Sequence, residues 1–185
     1  MATAAAAAAV RICTLRTAMR RLWEDHVTWT RVFLISAIAG LPDQHAATAR
    51  LLRNQVDIGD AVKKFYGNAA GDQLTSLLHD HIMLAAELVA ALVNRTPIEQ
   101  AMAKWFANAD QIAAFLSRAN PKHWPLAEMT KMMRSHLELT TKEALARLNQ
   151  EWDADVAAYD EVHEQILKMA DMLAFGIAEQ FPTKL

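Results

Sequence analysis

A chain of 185 residues with 53% hydrophobic side chains, 5 Gly and 5 Pro can bury one sizeable core, and its composition favours helix. A formal net charge of −2 gives no electrostatic reason to expect nucleic acid or an anionic membrane as partner. The single cysteine, Cys13, excludes an intrachain disulfide framework and a multi-cysteine zinc site, and it suits a reducing cytoplasm.

In chain order, residues 1–13 read as a flexible Ala-rich tail ahead of one domain over 14–185. The arginines follow the alanine run, the reverse of a secretory signal, although an acid-poor, arginine-bearing leader also fits a transit peptide. The first helix spans 14–39 and stops at Gly40 and Pro42. A second runs from about His45 to Tyr66, closed by Gly67, and a third from about Asp72 to Val93. Thr96 and Pro97 restart the chain as N-cap and first helical residue of a fourth helix, which ends at Arg118. The fifth covers about 126–148 and the sixth about 151–181. No alternating run long enough for a strand occurs. No stretch reaches the roughly 20 uninterrupted apolar residues of a membrane span, because Arg53, Asp57, Glu87 and Arg95 interrupt the candidates. The expectation is a soluble all-α protein: six helices in three related hairpins, 14–67, 72–120 and 126–182, forming one up-and-down-like bundle.

The hairpins resemble one another. His26, His81 and His136 recur at intervals of 55 residues. Leu22, Leu77 and Met132 stand four residues before them, Trp23, Leu78 and Met133 three before, and Val27, Ile82 and Leu137 one after. Fixed-period self-similarity of this kind reads as a degenerate two-helix repeat, with closure of three copies favoured over a solenoid. Helical periodicity places each histidine in an apolar stripe. A buried imidazole is neutral or paired, so each ring either hydrogen-bonds a neighbour and simply specifies the core, or joins the other two. Three convergent histidines are a ligand set for a divalent metal, zinc or iron, with one position open. Asp57, Asp110 and Asp171, one on the second helix of each hairpin, would then orient the rings or add oxygen ligands.

Other constellations carry less. His79 and His81 are two apart and do not face the same way, and Asp160 with His163 reads as a surface pair. Thr30, Arg31, Arg53 and Asn54 either line a small pocket for an anionic ligand or belong to an ion-pair network between hairpins. Nucleophile elbows and phosphate-binding glycine loops are missing from the sequence. Three functional readings remain: a metal held by the histidines, a cofactor-free structural or interaction module that meets a partner or a second copy of itself, and an enzyme using a metal-bound water.

The segments "LRTAMRRLWEDHVTWTR", "ARLLRNQVDIGDAVKKFYG", "LLHDHI", "WFANADQIAAFLSRANP", "HLELT" and "KMADMLAFGIAEQFP" resemble a bacterial family of small all-helical proteins of uncharacterised activity, over about residues 15–182. Its members often carry the labels glycosyltransferase or acetylglutamate kinase, chemistries whose folds need parallel strands and Gly-rich turns. The resemblance implies a soluble bacterial helical protein with these histidine and aspartate positions, and it brings no catalytic residues.

Overall fold

The apolar stripes read from the sequence are the faces the fold buries. A computed structural model describes residues 4–185, and over them the chain is six α-helices without a strand: α1 (Ala4–Ala39), α2 (Gln44–Tyr66), α3 (Asn68–Val93), α4 (Glu99–Ala119), α5 (Leu126–Leu148) and α6 (Trp152–Gln180). Each helix packs on the next, and α6 packs back on α1, so the three expected hairpins close into a ring. Short loops alternate the helix directions, which makes α1, α3 and α5 parallel. These three also touch one another and form the inner layer, with α2, α4 and α6 seated in the clefts between them. One continuous apolar core fills the ring.

Two boundaries differ from expectation. Residues 4–13, read as a flexible tail, are the first turns of α1, because alanine is the strongest helix former and no Gly or Pro breaks the run. The rest of that segment, residues 1–3, lies outside the described residues. α3 starts at Asn68 rather than Asp72, since Gly67 at φ 87° turns the chain by itself and α2 and α3 pack as a further hairpin. By length and composition α3 is also apolar enough to cross a membrane, although a third of its most apolar window is buried in the bundle.

The 55-residue period extends from the histidines to the ends of the inner helices. Gly40, Arg95 and Gln150 all take positive φ, at 63°, 54° and 62°. Just beyond them the amides of Leu41, Thr96 and Glu151 return to the carbonyls of Ser36, Ala91 and Ala146, at 2.9, 3.0 and 2.9 Å. This is the left-handed C-terminal cap that satisfies otherwise orphaned carbonyls. Arg95 and Gln150 hold it without glycine, at a conformational cost of about 1–2 kcal/mol each.

α2 and α3 approach most closely where glycine faces glycine. A Cβ on Gly59 would lie 2.7 Å from the Gly71 carbonyl oxygen and against Thr75 Oγ1, and one on Gly71 would lie 2.6 Å from the Gly59 carbonyl oxygen. Backbone atoms cannot rotate away, so Gly59→Ala forces the helices apart. The expected result is destabilisation by about 1–3 kcal/mol, exceeding the helix-propensity gain of about 1 kcal/mol. Urea denaturation measures it, and an unchanged midpoint would mean that the helices re-space freely.

Candidate functional site

The three inner helices bring His26, His81 and His136 together at the centre of the bundle. Ring centroids are 5.7 Å apart for His26 and His136 and 6.4 Å for His81 and His136. All three side chains are buried. The layers beneath and above repeat as well: Met19, Leu74 and Met129 lie on one side, and Leu34, Val89 and Ala144 on the other, all buried. Two apolar cavities of about 20 Å³ each flank the histidine layer, one lined by Trp23, Leu74 and Ile112, the other by Phe33, Ile82 and Trp105. Neither approaches the few hundred Å³ of a substrate pocket.

Each ring is fastened from behind by a carboxamide on the following helix. Nδ1 of His26 lies 3.3 Å from Gln55 Nε2, Nδ1 of His81 lies 2.7 Å from Asn108 Oδ1, and Nδ1 of His136 lies 3.2 Å from Gln165 Oε1. A carboxamide nitrogen in each repeat also donates to the carbonyl four residues before the histidine: Asn54 to Leu22 at 3.0 Å, Asn108 to Leu77 at 3.1 Å and Gln165 to Met132 at 3.0 Å. Asn108 and Gln165 serve both roles, whereas in the first repeat Asn54 and Gln55 divide them. No side chain among the described residues hydrogen-bonds Nε2 of any of the three rings.

Burial, and then the neighbouring rings, hold the His26 imidazole well below its ordinary 6.5. The same causes push His81 down to about 3 against the opposing hydrogen bond that its Nδ1 makes to Asn108 Oδ1. Burial pushes His136 down to about 4, with Gln165 opposing. The cluster is therefore three neutral imidazoles at neutral pH, with a lone pair on one nitrogen of each ring.

The predicted aspartates are elsewhere. Asp171 accepts paired hydrogen bonds from Arg20 and Arg16, which hold its carboxyl far below the usual carboxylate range, and this pairing helps close α6 on α1. Asp110 is bidentate with Arg134 on α5. Asp57 lines a groove of about 900 Å³ between α1 and α2 with Cys13, Arg21, Asp25 and Arg50. These aspartates follow the carboxamides Asn54, Asn108 and Gln165 by unequal intervals and face outward, so none bonds a histidine. The carboxamides were legible as polar residues 27 to 29 positions after each histidine, within otherwise apolar stripes.

The second predicted group does not assemble either. Thr30 bonds the His26 carbonyl, Asn54 is committed to Leu22, and Arg53 is exposed. Arg31 instead joins a buried cluster from the third repeat, donating to Glu143 at 2.7 Å and to both oxygens of Asp155 at 2.8 and 3.1 Å, while Arg147 adds a bond to Asp155. With two guanidinium partners Asp155 stays below its ordinary value despite burial. Burial pushes Glu143 up to about 7 despite Arg31. Asp160 does not pair with His163, whose Nε2 lies 3.1 Å from Glu24.

Metal geometry sets a further condition. An ion about 2.1 Å from each Nε2 in tetrahedral geometry places imidazole centroids roughly 5.3 Å apart, so the His81–His136 pair would have to close by about 1 Å and the His26–His136 pair by less than half of that. As they stand, no group of three or more His, Cys, Asp or Glu side chains among the described residues is arranged to hold a metal. No family model matches the chain, nor does any curated protein or solved structure.

Two predictions follow from the buried charges. Arg31→Met leaves Glu143 and Asp155 without their shared partner and is expected to cost about 3–5 kcal/mol, read by chemical denaturation. The histidines bind protons less readily folded than unfolded, so their stabilisation is complete above about pH 6.5 and is lost as pH falls toward the folded values. Each ring contributes up to about 1.4 kcal/mol per pH unit in that window. Glu143 acts oppositely, its stabilisation waning as pH rises from 4.5 to about 7. Three rings outweigh one carboxyl, so stability falls on acidification, and His81→Gln is expected to reduce the slope. A flat profile between pH 4 and 6.5 contradicts this, as does a slope unchanged by His81→Gln.

Proposed function

We propose that the protein is a cytoplasmic metal-binding helical bundle in which Nε2 of His26, His81 and His136 takes a divalent ion of the zinc or iron class. The observation that carries this reading is the meeting of three neutral, buried imidazoles, each held at Nδ1 from the adjacent helix, with no protein partner at Nε2. Orienting a ring through its second nitrogen is how proteins prepare histidine ligands. Such an ion would pin α1, α3 and α5 to one another, and the small flanking cavities suit a structural or stored ion better than one that turns over a substrate. Asp57, Asp110 and Asp171 take no part in this version of the site.

The second reading is a cofactor-free structural or interaction module, which the wide ring spacing favours. In it the histidine and carboxamide layer sets the register of the inner helices, and self-association uses surface features such as exposed Val10 on α1. Titration of tag-free protein with Co²⁺ separates the two. Metal binding predicts one ion per chain, a melting temperature that rises on loading and falls in chelator, and no binding by His81→Ala. Asn108→Ala is expected to weaken binding by about 10–100-fold. Absence of both stoichiometric Co²⁺ and Zn²⁺ binding overturns the metal reading, and a strictly monomeric mass in light scattering removes self-association.

A further inference from the structure

The three histidines are not equivalent in their hydrogen bonding, and the difference originates in Gln55. Asn108 and Gln165 present carbonyl oxygens to His81 and His136, and an oxygen accepts. Those rings therefore carry the proton on Nδ1 and leave the Nε2 lone pair facing inward. Gln55 presents its nitrogen to His26.

That orientation is locked by neighbouring groups. Asn54 Nδ2 donates to the Leu22 carbonyl at 3.0 Å, which turns Asn54 Oδ1 toward Gln55. Gln55 Nε2 then donates to Asn54 Oδ1 at 3.2 Å and to the Leu51 carbonyl at 2.9 Å. Reversing the Gln55 amide would set its oxygen against two other oxygens, and reversing Asn54 as well would set Oδ1 against the Leu22 carbonyl. The buried Gln55 Oε1 has no partner in the present arrangement, so the network keeps its nitrogen inward even at the expense of an unsatisfied oxygen. An amide nitrogen offers no lone pair, and a proton on His26 Nδ1 would have no acceptor.

We infer that Gln55 is a positioning residue that fixes His26 as the Nε2–H tautomer, making the triad a mixed cluster in which Nε2 of His26 carries a proton while Nε2 of His81 and of His136 carries a lone pair. The assignment stands independently of metal binding. Where it meets that proposed function, it makes Gln55 an obstacle to loading: for His26 to present a lone pair at Nε2, one proton must leave Nε2 and one must arrive at Nδ1, opposite the Gln55 nitrogen. The net charge of the ring is unchanged.

Long-range ¹H–¹⁵N correlation spectra of metal-free protein at neutral pH test the inference. They are expected to show one Nε2–H and two Nδ1–H imidazoles among the buried rings. The Nε2–H ring should be the one near the Trp23 indole, whose ring is edge-on to His26 at 5.7 Å, and His81 should be the ring near Trp105. Gln55→Met, which removes the donor facing Nδ1, is expected to move the nitrogen resonances of His26 and leave the Nδ1–H signals of His81 and His136 in place. Three Nδ1–H rings in the wild type overturn the inference, as do His26 resonances unmoved in a folded Gln55→Met variant. If that variant does not fold, the wild-type spectrum alone decides. A mixed triad that binds neither Co²⁺ nor Zn²⁺ supports the inference while ending the metal reading, and a metal-binding triad of three Nδ1–H rings does the reverse.

Discussion

Three imidazoles can occupy the centre of a helical bundle only as neutral rings, because a charged ring without a partner is too costly to bury, and each must be held in place at Nδ1 by a neutral partner. The arrangement of the inner and outer helices meets that constraint. The inner helices carry the histidines and the outer helices carry the carboxamides, so each outer helix must sit in the cleft where its carboxamides, one residue or two, reach both a ring and a mid-helix carbonyl. The polar layer thus links helix pairs radially. The apolar layers beneath and above it, from Met19, Leu74 and Met129 to Leu34, Val89 and Ala144, supply most of the attraction without fixing a register as sharply.

The approximate threefold pattern is closest on the inner helices and loosens outward. Its 55-residue period holds from His26, His81 and His136 to the caps at Gly40, Arg95 and Gln150, including the left-handed backbone that two non-glycine residues adopt. The outer helices drift in sequence register, and their surfaces have separate roles: Asp171 closes the ring on α1, while Asp110 braces α4 against α5. Where Phe33 and Leu88 occupy the inner face, the third repeat places Glu143, and Arg31 from the first repeat answers it. A buried carboxyl at an otherwise apolar position is tolerable because the guanidinium arrives from an adjacent inner helix.

Much of the fold was legible in the sequence because helical periodicity and the Gly and Pro stops are local signals. The histidine repeat was legible for the same reason, as the flanking residues recur at fixed distances from each ring. The choice of partners was harder to read. Aspartate was expected behind the rings because carboxylates commonly orient histidines, yet Asp57, Asp110 and Asp171 stand at unequal intervals and face outward. Gln55, Asn108 and Gln165 sit at nearly constant distance from their histidines and neutral amides suit a neutral cluster, but which outer-helix face turns inward depends on packing between helices. Likewise Arg31 pairs with Glu143, 112 residues away, a distance no local pattern spans.

By itself the sequence determined six helices, their approximate ends, the burial of one histidine stripe per hairpin and the repeat that relates them, since all of these follow from side-chain spacing along a single helix. Tertiary structure decided that the ring closes through α6 on α1, that the three imidazoles meet, that carboxamides rather than carboxylates hold them, and that one of those amides presents nitrogen where the others present oxygen. These depend on groups brought together from different helices and on hydrogen bonds in which the orientation of one amide constrains the next.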